Sequence, residues 1–209
     1  MQGKFITIEG TEGVGKTTNI AFIQQWLRAR DIDFITTREP GGTPLAEEIR
    51  EILLSPREEK MAPSTELLLM FAGRAQHLDQ VILPALKRGQ WVICDRFTDA
   101  TYAYQGFGRG MDHNLISDLE TLVQGALRPD FTLVLDIPVE LGLHRAGQRS
   151  SPDRFELEEV AFFERVRKGY LTLARRDPKR YLIIDASASL GTVQTNIAKA
   201  LTAFTETQR

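Results

Sequence analysis

The sequence predicts an α/β fold in which helices flank a doubly wound, five-stranded parallel sheet. Two observations predict it: short β-branched apolar runs recur along the chain, and longer segments with helical apolar spacing alternate with them. This alternation is typical of parallel sheets, because each strand connects to the next through a helix. No linker rich in proline, glycine and serine divides the 209 residues, so we expect 1–209 to form one domain.

Five apolar runs predict the strands: Phe5–Ile8, Phe34–Thr37, Trp91–Cys94, Thr132–Ile137 and Tyr181–Ile184. A helix follows the first strand, since Ile20, Ile23, Trp26 and Leu27 fall at helical spacing. Six further segments show such spacing: Pro44–Leu54, Ser64–Lys87, Leu115–Val123, Val139–Gln148, Glu156–Arg175 and Thr192–Phe204. Ligands of such sheets bind beyond the carboxyl ends of the strands, which makes the polar residues there the first site candidates.

Composition and charge narrow the classes of function. The formal net charge of -2 gives no general attraction to nucleic acid, and we expect no nucleic-acid partner. The single cysteine, Cys94, lies in an apolar run, where we expect it to pack as a small hydrophobe in a reducing cytoplasm. No apolar run is long enough to span a membrane, and we expect no membrane partner. The histidines His77, His113 and His144 lack metal-like spacing and predict surface or packing roles.

A phosphate-binding loop is the strongest single motif. Residues 10–17 fill every fixed position of the pattern G-x-x-x-x-G-K-[ST], between the first strand and the first helix. Glycines let backbone NH groups converge on phosphate oxygens, next to the positive end of a helix dipole. Lys16 offers a charge to the β- and γ-phosphates, and Thr17 offers a hydroxyl to Mg²⁺. The predicted triphosphate-binding residues are Gly10, Thr11, Glu12, Gly13, Val14, Gly15, Lys16, Thr17 and Thr18.

Asp95 is a candidate for the second metal-associated residue. It follows a largely apolar run, but Asp136 and Asp185 also end predicted strands. Position alone therefore does not decide which of the three aspartates lies near the metal. The neighbouring Arg96 favours Asp95, because an arginine beside a phosphate loop can fork onto a second phosphate.

Arg38 ends the second strand and suggests the same use of a guanidinium. A surface ion pair with Glu39 or Glu47 is the alternative for this arginine.

The helix that begins near Ser64, with Ser64 as its predicted cap, carries an unusual polar residue. Arg74 lies at the edge of its apolar stripe, close to Phe71. An aromatic face beside a planar donor can stack on a base and hydrogen-bond its edge, whereas the alternatives are a core phenylalanine and an arginine that reaches out of the stripe. The stripe comprises Leu67, Phe71, Ala75, Leu78 and Ile82.

Five motifs span nearly the whole chain: Gly10–Thr18, Thr37–Thr43, Phe71–Arg74, Asp95–Phe97 and Thr101–Gly106. Together and in this order they resemble the motifs of the bacterial thymidylate kinases. The resemblance implies a P-loop kinase fold with a short lid, and transfer of the γ-phosphate of ATP to dTMP, with Mg²⁺, giving dTDP and ADP. It also implies a homodimer.

The resemblance assigns the phosphate-handling roles. Lys16 would clamp the phosphates of ATP, and Thr17 and Asp95 would lie near Mg²⁺. Arg38 and Arg96 would hold the phosphate of dTMP. This set suits phosphoryl transfer, which depends on alignment and charge neutralisation.

The resemblance also assigns the nucleoside contacts. Phe71 would stack on thymine while Arg74 donates to its O4. Glu12, a catalytic candidate with Lys16 and Arg96, would reach the region of the 3′-hydroxyl. The remaining contacts would be Thr101 and Gln105 at the base and Tyr104 against the sugar.

One departure concerns the loop itself. Some thymidylate kinases have an arginine directly after the acidic residue of the loop, whereas here Glu12 is followed by Gly13. The cation must come from elsewhere, and a lid at about 145–155 contains three arginines in a Gly-, Ser- and Pro-containing stretch. Arg149 matches the lid position of the subgroup whose catalytic arginine lies there. A solvated charged loop is the alternative, and Arg145 and Arg154 are the other candidates.

Two rival functions remain to be weighed. Another nucleoside or nucleotide kinase would share the loop and the lid, so the acceptor depends on the residues at the predicted base site. A GTP-dependent switch usually carries Asn-Lys-x-Asp, but Asn19, Asn114 and Asn196 are each followed by Ile or Leu, which disfavours that class.

Overall fold

The structure, a computed structural model, describes residues 3–148 and 153–206. Its sheet contains β1 (Phe5–Glu9), β2 (Phe34–Arg38), β3 (Trp91–Asp95), β4 (Phe131–Asp136) and β5 (Tyr181–Asp185). All pairings are parallel and the strand order is β2-β3-β1-β4-β5. The predicted doubly wound sheet is confirmed. The order in which successive strands are added reverses at the central β1, so the switch point lies at the carboxyl end of that strand.

Helices cover both faces of the sheet. The long predicted segment 64–87 is one continuous helical stretch, with a π-helical part, Leu78–Ile82, between two α-helices. The helical segment after β3 was not predicted, since its glycines and threonines carry no apolar period; it ends in a second π-helical part, Tyr102–Gly108. The α-helices are α1 (Lys16–Arg28), α2 (Pro44–Leu54), α3 (Pro63–His77), α4 (Leu83–Lys87), α5 (Thr98–Thr101), α6 (His113–Gln124), α7 (Val139–Ala146), α8 (Val160–Arg176) and α9 (Leu190–Glu206).

Alternate residues of the central strands face opposite layers of the core. Ile6 and Ile8 of β1 pack with α1 and α9, and the four predicted apolar residues of α1 are all buried there. Phe5 and Cys94 pack on the other face with the π-helical part that follows α3 and with α4. Cys94 is a buried free thiol, as predicted, and burial raises its pKa.

The buried face of α3 differs from the predicted stripe. Ala62, not Ser64, is the cap residue, because Pro63 occupies the first helical position. Ala75 is exposed, and the buried face carries Arg74 and His77 in addition to apolar side chains. Two nitrogen-bearing side chains are therefore buried on this face.

Candidate active site

A cavity of about 330 Å³ opens at the carboxyl ends of β1 and β3. It is lined by the phosphate loop, by α3, by the helical segment after β3 and by residues at the end of the lid. The predicted residues that line it are Glu12, Gly13, Lys16, Thr17, Arg74, Asp95, Arg96, Thr101, Tyr104 and Gln105. These residues are distant in sequence and belong to four of the five motifs, and Glu39 and Pro40 line the cavity from the fifth.

The phosphate loop takes the conformation that its glycines predict. Gly15 is the cap residue of α1 with a φ of 88°, and no side chain caps this helix start within the described chain. The first turn of α1 contains no acidic residue, so its free NH groups remain available to an anion. Gly13 has a φ of 69°, and a Cβ there would lie 1.9 Å from the carbonyl oxygen of Gly142 in α7.

Lys16 is a cation without a carboxylate partner among the described residues. Its Nζ donates to the backbone oxygens of Gly10 (3.3 Å) and Thr11 (3.1 Å). Removal of the ammonium group from water, together with nearby Arg96, lowers the pKa of Lys16 to about 8. A phosphate oxygen at this position would supply the missing negative charge.

Asp95 differs from the other two strand-end aspartates. Asp136 is ion-paired to Arg167 at 2.6 Å, and Asp185 accepts from Ser187, whereas Asp95 lines the cavity. Its Oδ1 is buried and has no hydrogen-bond partner among the described residues. An orphaned carboxylate oxygen beside a phosphate loop fits Mg²⁺, which takes few protein ligands and keeps water and phosphate oxygens as the rest. No cluster of three or more His, Cys, Asp or Glu that could hold a metal occurs in residues 3–148 and 153–206.

Arg96 is the centre of a hydrogen-bonded group at the floor of the cavity. Its Nη2 donates to Glu12 Oε1 at 2.9 Å, and its Nη1 donates to the Gly10 carbonyl and the Tyr170 hydroxyl. Tyr104 donates its hydroxyl to the other oxygen of Glu12 at 2.6 Å. The Glu12 carboxylate is therefore fixed in position by two side chains, one of which is cationic.

Glu9 lies beneath this group and is fully buried at the end of β1. Its Oε1 accepts the backbone NH of Phe97 at 2.8 Å, which ties β1 to the chain directly after Arg96. Burial and then the nearby Asp99 raise the pKa of Glu9 to about 8. This carboxyl group therefore carries a proton at neutral pH.

Arg74 is buried at the opposite end of the cavity, with 3% exposure. Its Nε donates to Glu39 Oε2 at 2.8 Å, and its Nη2 donates to Thr101 Oγ1 at 3.0 Å. Its Nη1 is buried and has no hydrogen-bond partner in the part of the chain that the structure describes. Glu39 also accepts from His77, so two nitrogen-bearing side chains share one buried carboxylate. The guanidinium is rigidly held, with one donor group left over.

Two predicted substrate residues do not line the cavity. Phe71 is 2% exposed and packs with Leu67 and Ile116, with the Arg74 guanidinium 4.8 Å from its ring centroid. Arg38 is exposed and pairs with Glu47 at 2.8 Å, which is the alternative that the sequence left open. Their roles toward dTMP stay predictions.

The lid is described only in part. Arg149 lies outside the described residues, so its predicted role stays untested. Arg145 donates to the Ala186 carbonyl at 3.2 Å, and Arg154 donates its Nε to the Leu53 carbonyl at 2.7 Å. Both alternative lid arginines therefore have partners in the body of the protein.

Sequence reasoning missed several residues of the site. Glu39 belongs to the motif Thr37–Thr43, but nothing in the sequence indicates that its carboxylate accepts a hydrogen bond from Arg74. Arg50 lines the cavity from α2, whereas its sequence pattern predicts only a position within a helix. Phe155 lines it from the end of the lid. Helical or strand periodicity carries no signal for any of these contacts.

The two halves of this cavity define the class of protein. Within the described chain, one part of the cavity combines free NH groups at a helix start, a lysine without a carboxylate partner and an aspartate with an unpaired oxygen, and another part contains the buried Arg74 with Thr101 and Gln105. A cradle and an adjoining acceptor pocket at the switch point of a parallel sheet are the arrangement of P-loop kinases, which hold donor and acceptor side by side.

Comparison with known proteins narrows the class to one family. The family model for thymidylate kinase matches residues 8–197, and the chain belongs to the thymidylate kinase family. Thymidylate kinases from Teredinibacter turnerae and Pseudomonas syringae pv. tomato are 63% and 58% identical, over 98% and 100% of this chain and 100% of each relative. The crystal structure of thymidylate kinase from Ehrlichia chaffeensis matches with a TM-score of 0.77 at 33% identity, over 97% of this chain and 99% of that one.

Proposed function

We propose that this protein transfers the γ-phosphate of ATP to dTMP and releases dTDP and ADP. The observation that carries the choice of acceptor is the buried guanidinium of Arg74, whose one unpartnered nitrogen belongs to a residue lining the cavity. Family membership supports the same reaction. We call Arg74, Thr101 and Gln105 the base end of the cavity, and Glu12, Lys16, Thr17, Asp95 and Arg96 its phosphate end.

Arg74 selects the base by its fixed donor. Thymine presents the carbonyl oxygen O4 as an acceptor, whereas cytosine presents an amino donor at the same position. Two donors facing each other in a desolvated pocket leave both unpaired, which costs about 1–3 kcal/mol. Since Arg74 is held by Glu39 and Thr101, it cannot turn away to relieve that mismatch.

The phosphate end aligns the reacting groups. Lys16 holds the β- and γ-phosphates, and Arg96, which lines the cavity, holds the phosphate of dTMP together with Arg38. Thr17 and Asp95 would hold Mg²⁺, which neutralises phosphate charge when bound. Arg96 and Tyr104 hold the Glu12 carboxylate in place. In our proposal Glu12 reaches the 3′-hydroxyl region, and Tyr104 lies against the sugar, where a 2′-hydroxyl would need room.

The lid supplies the cation that the loop lacks. In the transition state, negative charge spreads over the equatorial oxygens of the transferred group, and a guanidinium that arrives on closure acts mainly there. Arg149 takes this role in our proposal, because Arg145 and Arg154 are bound to the body of the protein.

The test is an assay of ADP release with ATP and a panel of dTMP, dUMP, UMP, dCMP, AMP and GMP. We expect dTMP to be the best acceptor, and both dCMP and the purine nucleotides to be poor ones. A preference for AMP would favour the rival reading, a nucleotide kinase with another acceptor.

We also propose a homodimer. The adjacent helices α2, α3 and α6 carry exposed large apolar side chains, among them Leu68 at 57% and Leu122 at 80% exposure. Exposed large apolar side chains on adjoining helices are typical of a protein interface. Sedimentation velocity should show a dimer that Leu122→Glu weakens and Leu190→Glu, on α9, does not.

The proposed location is the cytoplasm, supported by a buried free thiol. Among the described residues, no helix has the length and apolar character needed to cross a bilayer.

A further inference from the structure

Glu66, in the first turn of α3, is buried behind the cavity and does not line it. Its exposure is 1%, and an acidic residue is fully buried only when it is paired. Its three partners come from two parts of the chain, the helical segment after β3 and the end of the lid.

Two arginines face the Glu66 side chain. Arg109 approaches both of its oxygens, with Nε 3.3 Å from Oε1 and Nη2 3.2 Å from Oε2. Arg154, at the end of the lid, places Nη2 2.6 Å from Oε2. A carboxylate beside two guanidiniums accepts hydrogen bonds and cannot donate them.

The third partner is Gln105 of the base end. Its Nε2 donates to Glu66 Oε1 at 2.8 Å, and the residue is 1% exposed. An amide side chain can turn over and exchange its oxygen and nitrogen, but only the nitrogen end can face a carboxylate. Glu66 therefore fixes which end of Gln105 faces away from it.

The remaining end of Gln105 is a carbonyl oxygen. Gln105 lines the cavity, and its Oε1 makes no hydrogen bond to any residue in the described part of the chain. An acceptor in the base end complements the N3–H of thymine. Cytosine has an unprotonated N3 there, so two acceptors would face each other.

We infer that Glu66 is a positioning residue for base selection: by holding the amide of Gln105 in one orientation, it presents an acceptor to N3–H and excludes cytosine. This inference rests on the proposed function and adds a second, independent discrimination to that of Arg74. The two act on neighbouring positions of the same base edge, and each is held by a buried carboxylate, Glu39 for Arg74 and Glu66 for Gln105.

The test compares base preference in Glu66→Gln with that of the wild type. An amide at position 66 can accept or donate, so Gln105 becomes free to turn over. We expect the ratio of kcat/KM for dTMP to kcat/KM for dCMP to fall about tenfold or more, mainly through KM. The ratio of dTMP to dUMP should not change, because both bases present N3–H and O4.

Two control variants separate this role from a general structural one. Glu158→Gln removes another carboxylate partner of Arg109, 2.5 Å from its Nη1, without touching Gln105, and should leave the dTMP to dCMP ratio unchanged. In a Gln105→Ala background, Glu66→Gln should have no further effect on the ratio. An equal loss of activity toward all acceptors in Glu66→Gln would overturn the inference.

A measurement on the wild type covers the case in which Glu66→Gln does not fold. With ¹⁵N-labelled protein bound to dTMP, the side-chain NH₂ of Gln105 should exchange with solvent more slowly than those of exposed glutamines. Magnetisation transfer between that NH₂ and the nucleotide would overturn the inference. Absence of dTMP phosphorylation in the wild type would instead contradict the proposed function.

Discussion

At the base end of the cavity, Arg74 and Gln105 are each held by a buried carboxylate, whereas at the phosphate end Lys16 and Asp95 have incomplete partners. The side chains of the base end are held in place without a ligand, so in the proposed function their donors and acceptors cannot rearrange to fit a wrong base. The phosphate end keeps charge that only phosphate and metal can satisfy. In the proposed function, selection of the base therefore depends on side chains held by ion pairs and hydrogen bonds. Transfer of the phosphoryl group depends instead on charged groups that have no partner until the ligands bind.

The largest effect should follow from removing the unpaired cation. Lys16→Ala should lower kcat about 100- to 1,000-fold, because the lysine faces charge on the transferred phosphate. Thermal unfolding should change little, since Lys16 packs against loop carbonyls and holds no ion pair within the described chain. The control is Lys199→Ala, an exposed lysine of α9. Near-normal turnover in folded Lys16→Ala would refute the assignment of the phosphate end.

The second effect concerns the lid cation. Arg149→Ala should lower kcat at least about tenfold and up to a thousandfold, with a much smaller change in the KM for dTMP, because the guanidinium acts in the transition state. Steady-state kinetics with varied dTMP measures both constants. Arg145→Ala is the matched control. If that variant lost kcat while Arg149→Ala kept it, the catalytic role would belong to Arg145.

A smaller effect should appear at the base end. Arg74→Ala should reduce the preference for dTMP over dCMP by a free energy of roughly 1–3 kcal/mol, because the fixed donor to O4 is lost. Arg38→Ala is the matched control: the phosphate is common to both nucleotides, so it should alter KM for both and leave their ratio unchanged. An unaltered ratio in Arg74→Ala would remove Arg74 from base recognition.

The smallest effect on activity should belong to Glu9, which acts on stability and not directly on either end of the cavity. Its pKa is about 8 in the folded protein against 4.5 for an unperturbed glutamate. The folded state therefore holds a proton that the unfolded state has lost, and stability falls as pH rises through this interval. Urea unfolding between pH 5 and pH 8 should show this decline in the wild type, and a flatter profile in Glu9→Gln. Parallel profiles would show that Glu9 is ionised in the folded protein.

The strands and most helices could be predicted because their residues are periodic and local. The helical segment after β3 could not, since it lacks an apolar period and includes a π-helical part. The phosphate loop was also predictable, because its chemistry is contained in eight consecutive residues. The supports of the base end were not: Glu39 lies 35 residues from Arg74, and Glu66 lies 39 residues from Gln105. Only the tertiary fold pairs them.

The contact between Gly13 and Gly142 limits how this site can change over evolution. A Cβ at position 13 would lie 1.9 Å from the Gly142 carbonyl oxygen, and a Cβ at position 142 would lie 2.6 Å from that of Glu12. A side chain at position 13 would require the backbone at Gly142 to shift, and a side chain at position 142 would require the backbone at Glu12 to shift. An arginine at position 13 therefore requires a second change that moves α7 away from the loop, whereas a lid arginine requires no such change.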